Sequence, residues 1–212
     1  MKVKVCGMRD PENIKALSAL HPDFMGFIFY PGSKRRADLK SLESVVPSMP
    51  DNIIKVGVFV DADMHLVSEY VKRLQLAFVQ LHGNESPAYC NALHVEGIRI
   101  IKAFQISGAF LFDQLDDYDS VDYFLFDTPS AHYGGTGRSF SWDKLVEYDG
   151  TTPYFLSGGI SLDSAEQLRQ LDLPQMPYAV DINSRFEISP GTKDIDQISR
   201  FIRLLHHDIR ND

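Results

Sequence analysis

Residues 53–81 of this chain, IIKVGVFVDADMHLVSEYVKRLQLAFVQL, contain two apolar runs separated by a segment with a different hydrophobic spacing. The runs Ile53–Val60 and Ala77–Leu81 are nearly continuous in apolar residues, which is typical of strands covered on both faces of a parallel sheet. Between them, from Leu66 to Leu74, apolar residues recur at helical spacing. The stretch therefore predicts a strand, a helix and a second, parallel strand.

The same alternation extends along the whole chain. The 212 residues divided by eight strands leave about 26 residues per unit, which is enough for a strand, a helix and two short loops. We therefore predict a minimal, single-domain (β/α)8 TIM barrel over residues 1–212, with a helix after every strand. An open doubly wound sheet is the main rival, but no glycine fingerprint follows the first strand. The six further predicted strands are Val3–Cys6, Phe24–Tyr30, Ile98–Phe104, Asp122–Phe126, Pro153–Leu156 and Tyr178–Ile182.

Charge and hydropathy exclude several classes of partner. The formal net charge is −8 and the longest basic run is Lys34–Arg36, so we expect no nucleic-acid binding. The longest apolar stretch, Phe24–Tyr30, is far shorter than the roughly 20 residues of a membrane-spanning helix, so we expect no membrane partner. The beginning of the chain has no secretion-signal pattern, and two cysteines make no disulfide framework. These features favour a cytoplasmic protein. The sequence leaves open whether it is a monomer or a homodimer.

Active sites of (β/α)8 barrels lie at the carboxyl ends of the strands. Cys6 ends the first predicted strand, where nearby cations could lower the pKa of its thiol, although a buried cysteine is more often a small packing residue. Asp127 ends the sixth, and a desolvated carboxyl at that point is a candidate general acid or a structural ion-pair partner. The two ends lie nearly opposite each other around eight strands. An acid and a base would then face one small substrate.

A second group of rim residues is suited to binding phosphate. Gly158 and Gly159 follow strand seven, and Asn183 and Ser184 follow strand eight, where barrels commonly bind phosphate through backbone N–H groups. Paired glycines also occur in ordinary turns, so the position in the barrel carries the hypothesis.

Cationic and titratable side chains complete the inventory. In the run Lys34–Arg36, after strand two, one arginine could hold a carboxylate with two hydrogen bonds, or the whole run could be a solvated loop. His82 ends strand four as a hydrogen-bond donor to substrate or a core residue, and no second His or Cys lies at metal spacing, so we expect no metal site. Lys102, within strand five, is the candidate for a Schiff base. Cys90 falls in a helical segment and is assigned to packing.

Several of these segments, taken in order, resemble phosphoribosylanthranilate isomerases. The resemblance extends from residue 4 to about residue 194 and is most specific in the cysteine–glycine opening, the VQLHG stretch and the GGTG loop. The matching stretches are KVCGMR (4–9), GFIFYP (26–31), VGVFV (56–60), VQLHG (79–83), FDT (126–128), YGGTG (133–137), LSGG (156–159), DINS (181–184) and PG (190–191).

The resemblance implies an Amadori rearrangement of a phosphorylated aminosugar, without metal or organic cofactor. It implies that Asp127 is the general acid that opens the furanose ring and that Cys6 is the base that removes the proton from C2′. It further implies that Arg35 binds the anthranilate carboxylate and Asp181 the anthranilate amine. Phosphate would be held by the residues already named on chemical grounds, Gly158, Gly159, Asn183 and Ser184.

The sequence departs from the family at Arg185, where the family usually has glycine. The arginine either adds a cation for the phosphate or reshapes the loop. The helix start after Gly159 also lacks the usual Asn-Val. Two other functions stay open at this point: a sugar-phosphate aldolase that uses Lys102 as a Schiff-base lysine, and a catalytically silent barrel that binds a phosphorylated ligand.

Overall fold

A closed barrel of eight parallel strands dominates the computed structural model, which describes residues 1–128 and 142–206. The strands pair in sequence order, and β8 closes the barrel by pairing in parallel with β1. The predicted barrel is therefore confirmed over the open sheet. The strands are β1 Lys2–Val5, β2 Phe24–Ile28, β3 Ile54–Phe59, β4 Phe78–Leu81, β5 Ile100–Gln105, β6 Tyr123–Asp127, β7 Tyr154–Ser157 and β8 Ala179–Ile182.

Helices cover the outside of the barrel, and local sequence signals fix where several of them begin. Asp10 accepts a hydrogen bond from the Asn13 backbone N–H, and Pro11 takes the first helical position. The α-helices of the described residues are α1 Pro11–Ser18, α2 Leu39–Glu43, α3 Met64–Leu74, α4 Pro87–Val95, α5 Ser164–Arg169 and α6 Ile195–His206. None of the helices in residues 1–128 and 142–206 is both long and apolar enough to cross a membrane.

The prediction of an α-helix after every strand is wrong for the connection between β5 and β6. That connection contains only the 3-10 helix Phe112–Leu115. Its sequence, residues 106–122, includes Gly108 and five aspartates, which are poor helix formers. After β6 the described part of the chain resumes at another 3-10 helix, Trp142–Glu147. A short antiparallel hairpin that the sequence analysis did not predict follows β8: β9 Glu187–Ser189 and β10 Thr192–Lys193.

Alternate residues of the strands build two separate cores. Inward-facing apolar residues, among them Phe24, Leu125 and Phe155, fill the lower part of the barrel, and the Phe24 and Phe155 rings lie 5.0 Å apart. Residues one position along, such as Phe124 and Ile100, face outward and pack under the helices. Because both faces of each strand are buried, the strand sequences are nearly continuous in apolar residues.

The barrel interior becomes polar above this apolar floor. Lys4, Gln80 and Asp181 are all buried there, and Lys4 Nζ lies 2.9 Å from Asp181 Oδ1. Lys4 and Asp181 are directly paired in the register between β1 and β8. A buried ion pair is tolerated when its charges neutralise each other and are hydrogen-bonded. This polar layer forms the base of the cavity at the mouth.

The apolar floor generates a test of stability. Phe155→Ala should lower the free energy of unfolding by about 3–5 kcal/mol, because it removes a buried ring and leaves a cavity. Val95→Ala, at a position that is 77% exposed, should change it by less than about 0.5 kcal/mol. Urea unfolding followed by circular dichroism measures both. Equal stability of the two variants would contradict this description of the core.

Candidate active site

A cavity of about 230 Å3 opens at the carboxyl ends of the strands. Residues from the ends of β1 to β4 and β6 to β8 line it. A larger cavity of about 570 Å3 is lined on the outer side of the sheet by residues from the segments that precede β6 and β7, and none of the predicted site residues lines it. The smaller cavity is therefore the candidate site, and its lining includes Cys6, His82, Asp127, Gly158, Gly159, Asp181, Asn183 and Ser184.

Cys6 is a buried free thiol that borders this cavity directly above the Lys4–Asp181 pair. A Cβ atom at Gly26 on β2 would lie 2.8 Å from Cys6 Sγ, so the glycine gives the thiol its room. Burial raises the pKa of Cys6, while the Lys4 and Lys193 ammonium groups act in the opposite direction. The cations act in the expected direction, but the effect of burial is larger and the net direction of the pKa is upward. The sequence does not reveal how deeply the end of β1 is buried.

Asp127 and His82 lie next to each other on another part of the mouth. His82 Nε2 is 3.7 Å from Asp127 Oδ2, which is too long for a hydrogen bond. Gln80 Nε2 lies 2.9 Å from His82 Nδ1 and fixes the ring from below. The Asp127 side chain is 33% exposed, so its carboxyl is less desolvated than its apolar strand suggests. His82 is a cavity residue and not a core residue.

Two glycines with unusual backbone conformations form the edge of the cavity that was predicted to bind phosphate. Gly158 and Gly159 have φ angles of +97° and +63°, which other residues rarely adopt. A Cβ atom at Gly158 would lie 1.8 Å from the Thr128 carbonyl oxygen, so only glycine fits against the end of β6. Ser184 begins the 3-10 helix Ser184–Phe186 on the adjoining edge.

Asn183 and Arg185 flank Ser184 with different surroundings. The Asn183 side-chain oxygen accepts a hydrogen bond from Lys193 Nζ at 2.7 Å. Arg185 lines the cavity and is not among the residues with positive φ, so the backbone at this position does not require the glycine that the family usually has. The GGTG loop, residues 134–137, lies outside the described residues.

Arg35 is held by a partner that the sequence analysis missed. Its Nε and Nη2 atoms donate to both carboxylate oxygens of Glu187 on β9, at 2.7 to 3.0 Å. The Arg35 side chain is 25% exposed and approaches the mouth beside Gly7, where a Cβ atom would lie 3.0 Å from Arg35 Cδ. The cavity lining, taken over the described residues, does not include it.

Lys102 lies on the wrong face of its strand for Schiff-base chemistry. Ile101 and Ala103 face the barrel interior, so Lys102 points outward, where it is buried and lies 3.1 Å from Glu85 Oε2. Its ammonium also donates to three backbone carbonyls. The structure therefore contradicts the aldolase alternative. Cys90 is buried in α4, in agreement with its assignment to packing.

Four other functional or supporting residues escaped the sequence analysis: Lys4, Gln80, Glu187 and Lys193. A lysine in an apolar strand is a usable signal, because burial of its charge requires a partner. Glu187 and Lys193 lie in a segment without clear periodicity, so no comparable signal marks them. Among the residues that the structure describes, no group of three or more His, Cys, Asp or Glu side chains is arranged to hold a metal ion.

The fold and the site together define a class: a (β/α)8-barrel enzyme in which a thiol, a carboxyl and a glycine loop of anion-binding type border one small cavity. The model of the N-(5′-phosphoribosyl)anthranilate isomerase family matches residues 3–204. The chain belongs to this family.

Individual relatives agree with this assignment. The N-(5′-phosphoribosyl)anthranilate isomerase of Parabacteroides distasonis is 44% identical over 98% of this chain and 94% of its own. A crystal structure of the enzyme from Thermotoga maritima superposes with a TM-score of 0.85 at 32% identity, covering 97% and 98% of the two chains. A structure of such an enzyme in complex with reduced 1-(o-carboxyphenylamino)-1-deoxyribulose 5-phosphate has a TM-score of 0.84 at 30% identity, with the same coverage.

The glycine loop generates a second test. Gly158→Ala should weaken the binding of inorganic phosphate at least about tenfold, or about 1.4 kcal/mol, because the loop must move away from Thr128. Gly97→Ala is the matched control: its φ is +80°, but a Cβ there meets nothing within 4 Å. The control should show only backbone strain of about 1–3 kcal/mol in urea unfolding. Unchanged phosphate affinity in Gly158→Ala, measured by titration calorimetry, would contradict the assignment.

Proposed function

We propose that this chain catalyses the isomerisation for which its family is named, with Asp127 as general acid and Cys6 as general base. The observation that carries the proposal is that both side chains border the same small cavity. The substrate would be N-(5′-phosphoribosyl)anthranilate and the product its 1-deoxyribulose isomer, as in tryptophan biosynthesis.

The reaction proceeds by proton transfers, with no net change in oxidation state. Asp127 donates a proton to the furanose ring oxygen, the bond from C1′ to that oxygen breaks, and the nitrogen lone pair forms a protonated Schiff base. The Cys6 thiolate then removes the proton from C2′, and the electrons of that bond give an enolamine. In the tautomerisation the C2′ hydroxyl loses its proton and C1′ gains one, which leaves a ketone at C2′. Each proton-transfer group contributes typically 10²–10⁴-fold to such a rate.

Binding groups around the cavity suit the other parts of this substrate. The phosphate would lie against Gly158, Gly159, Asn183 and Ser184. Since the Asn183 side-chain oxygen already accepts from Lys193, this residue would bind phosphate through its backbone or through its Nδ2 group. His82 would contact the sugar beside Asp127.

Arg35 would bind the anthranilate carboxylate while it stays paired with Glu187. Glu187 takes the guanidinium edge formed by Nε and Nη2, and the edge formed by Nη1 and Nη2 suits a second carboxylate. Asp181 would accept a hydrogen bond from the anthranilate amine. Because the Asp181 carboxylate is held by Lys4, the amine would meet a charge-balanced pair.

The loss of anthranilate fluorescence tests the two proton-transfer roles. With substrate made in situ from anthranilate and phosphoribosyl pyrophosphate, Cys6→Ser and Asp127→Asn should each slow the reaction about 10²–10⁴-fold. Cys90→Ser, which changes the buried cysteine of α4, should react at nearly the rate of the unmodified protein. Equal rates in all variants would contradict the proposal. An absence of turnover in the unmodified protein would favour a silent binding barrel.

The carboxylate site has its own test. Arg35→Lys keeps the positive charge but loses the two-pronged geometry, so KM should rise by about tenfold or more. Arg36→Lys, at the next position in the same exposed loop, is the control and should leave KM unchanged. If both variants show the same KM as the unmodified protein, Arg35 does not bind the substrate carboxylate.

A further inference from the structure

The hairpin after β8 places a fully buried lysine behind the mouth of the barrel. Lys193 on β10 is 1% exposed, and its Nζ donates to Glu187 Oε1 at 2.8 Å and to Asn183 Oδ1 at 2.7 Å. Its backbone N–H donates to the Asn13 side chain at 2.7 Å, which anchors β10 to α1. Burying an ammonium is costly, so the Lys193 charge requires the hydrogen-bond and ion-pair partners that surround it.

One side chain, that of Asn183, connects the Lys193 ammonium to the residue that follows Cys6. Asn183, which accepts the Lys193 hydrogen bond, packs over Gly7, where a Cβ atom would lie 2.8 Å from Asn183 Oδ1. Gly7 directly follows Cys6 in the chain, and Asn183 and Cys6 border the same cavity. The Lys193 charge lowers the pKa of Cys6, against the larger opposing effect of burial.

The ionised groups around the thiol do not cancel. Four charged groups interact with the thiol: the cations of Lys4, Arg35 and Lys193 and the carboxylate of Asp181. A second carboxylate, that of Glu187, pairs with Arg35 and Lys193. The cluster therefore carries one surplus positive charge when Cys6 is a thiol and none when it is a thiolate. Across the mouth, Asp127 and His82 interact with Asp181.

Lys193 adds a positive charge near the thiol beyond that of the Lys4–Asp181 pair. Lys4 acts on the pKa of Cys6 more strongly than Lys193 does, but the Asp181 carboxylate, 2.9 Å from Lys4 Nζ, acts on the same pKa in the opposite direction. Arg35 and Lys193 share the single carboxylate of Glu187, and the Arg35 side chain is 25% exposed whereas that of Lys193 is 0% exposed. Solvent screens a buried charge much less than an exposed one.

We propose that Lys193 is a positioning residue for the reaction, and that its buried ammonium supplies the positive charge that offsets the Cys6 thiolate. The inference rests on the proposed role of Cys6 as the base. Asn183 and Glu187 hold the ammonium in place. The role of the hairpin is to position this cation near the end of β1.

The test is the pH dependence of Cys6 alkylation by iodoacetamide, measured by mass spectrometry in a Cys90→Ser background. In Lys193→Met the midpoint should move up by about one pH unit or more, so that the thiolate fraction at a given pH falls about tenfold or more. The kcat should fall with a smaller change in KM. Lys193→Arg keeps the charge and should restore the midpoint.

Removal of the negative charge of Glu187 separates the electrostatic role of Lys193 from a structural one. Glu187→Gln has nearly the same shape but removes a negative charge, so the midpoint should move down, opposite to its movement in Lys193→Met. A purely structural role predicts no such opposition. Glu187→Gln also keeps the proposal testable if Lys193→Met does not fold. Lys102→Met, which removes a buried lysine from the outer face of the barrel, is the control and should leave the midpoint unchanged.

Two outcomes would overturn the inference: an unchanged midpoint in Lys193→Met, or shifts in the same direction in Lys193→Met and Glu187→Gln. Neither depends on turnover, so both are distinct from a failure of the proposed function. That failure would appear as full activity in Cys6→Ser.

Discussion

The ion pair between Lys4 and Asp181 is the constraint on which the rest of the site depends. It joins the first and last strands of the barrel inside the closed sheet, at a level where both side chains are buried. Below it the interior is packed with aromatic and aliphatic side chains. Above it lie the thiol, the carboxyl and the glycine loop. The pair thus marks the boundary between the part of the barrel that stabilises the fold and the part that acts on a substrate.

The charges around Cys6 bear on its proposed role as a base at such a depth. A thiolate deprived of water is unfavourable, and burial accordingly raises the pKa of Cys6. Three separate segments place cations around the thiol: β1, the loop after β2 and the hairpin after β8. Two carboxylates keep these cations in place without cancelling them fully. These cations therefore offset part of the cost that burial imposes on a Cys6 thiolate.

The barrel could be predicted from the sequence because parallel strands buried on both faces leave nearly continuous apolar runs, and all eight runs became strands. The same continuity hides which face each residue takes, and Lys102 was therefore misjudged as a candidate nucleophile although it points outward. The rim position of Cys6 and Asp127 follows from strand ends alone. The pairing of Arg35 with Glu187, 152 positions along the chain, depends on tertiary folding and leaves no local trace. The same holds for Lys193.

A crystal structure of this protein with a reduced form of its proposed product would test the central claim most directly. The account predicts that Cys6 Sγ and the Asp127 carboxyl both lie within about 3–3.5 Å of the sugar, at C2′ and at the oxygen derived from the ring. The phosphate should rest on Gly158 and Gly159, with Arg35 at the aromatic carboxylate. A ligand bound elsewhere, or one with Cys6 or Asp127 turned away from the sugar, would contradict it.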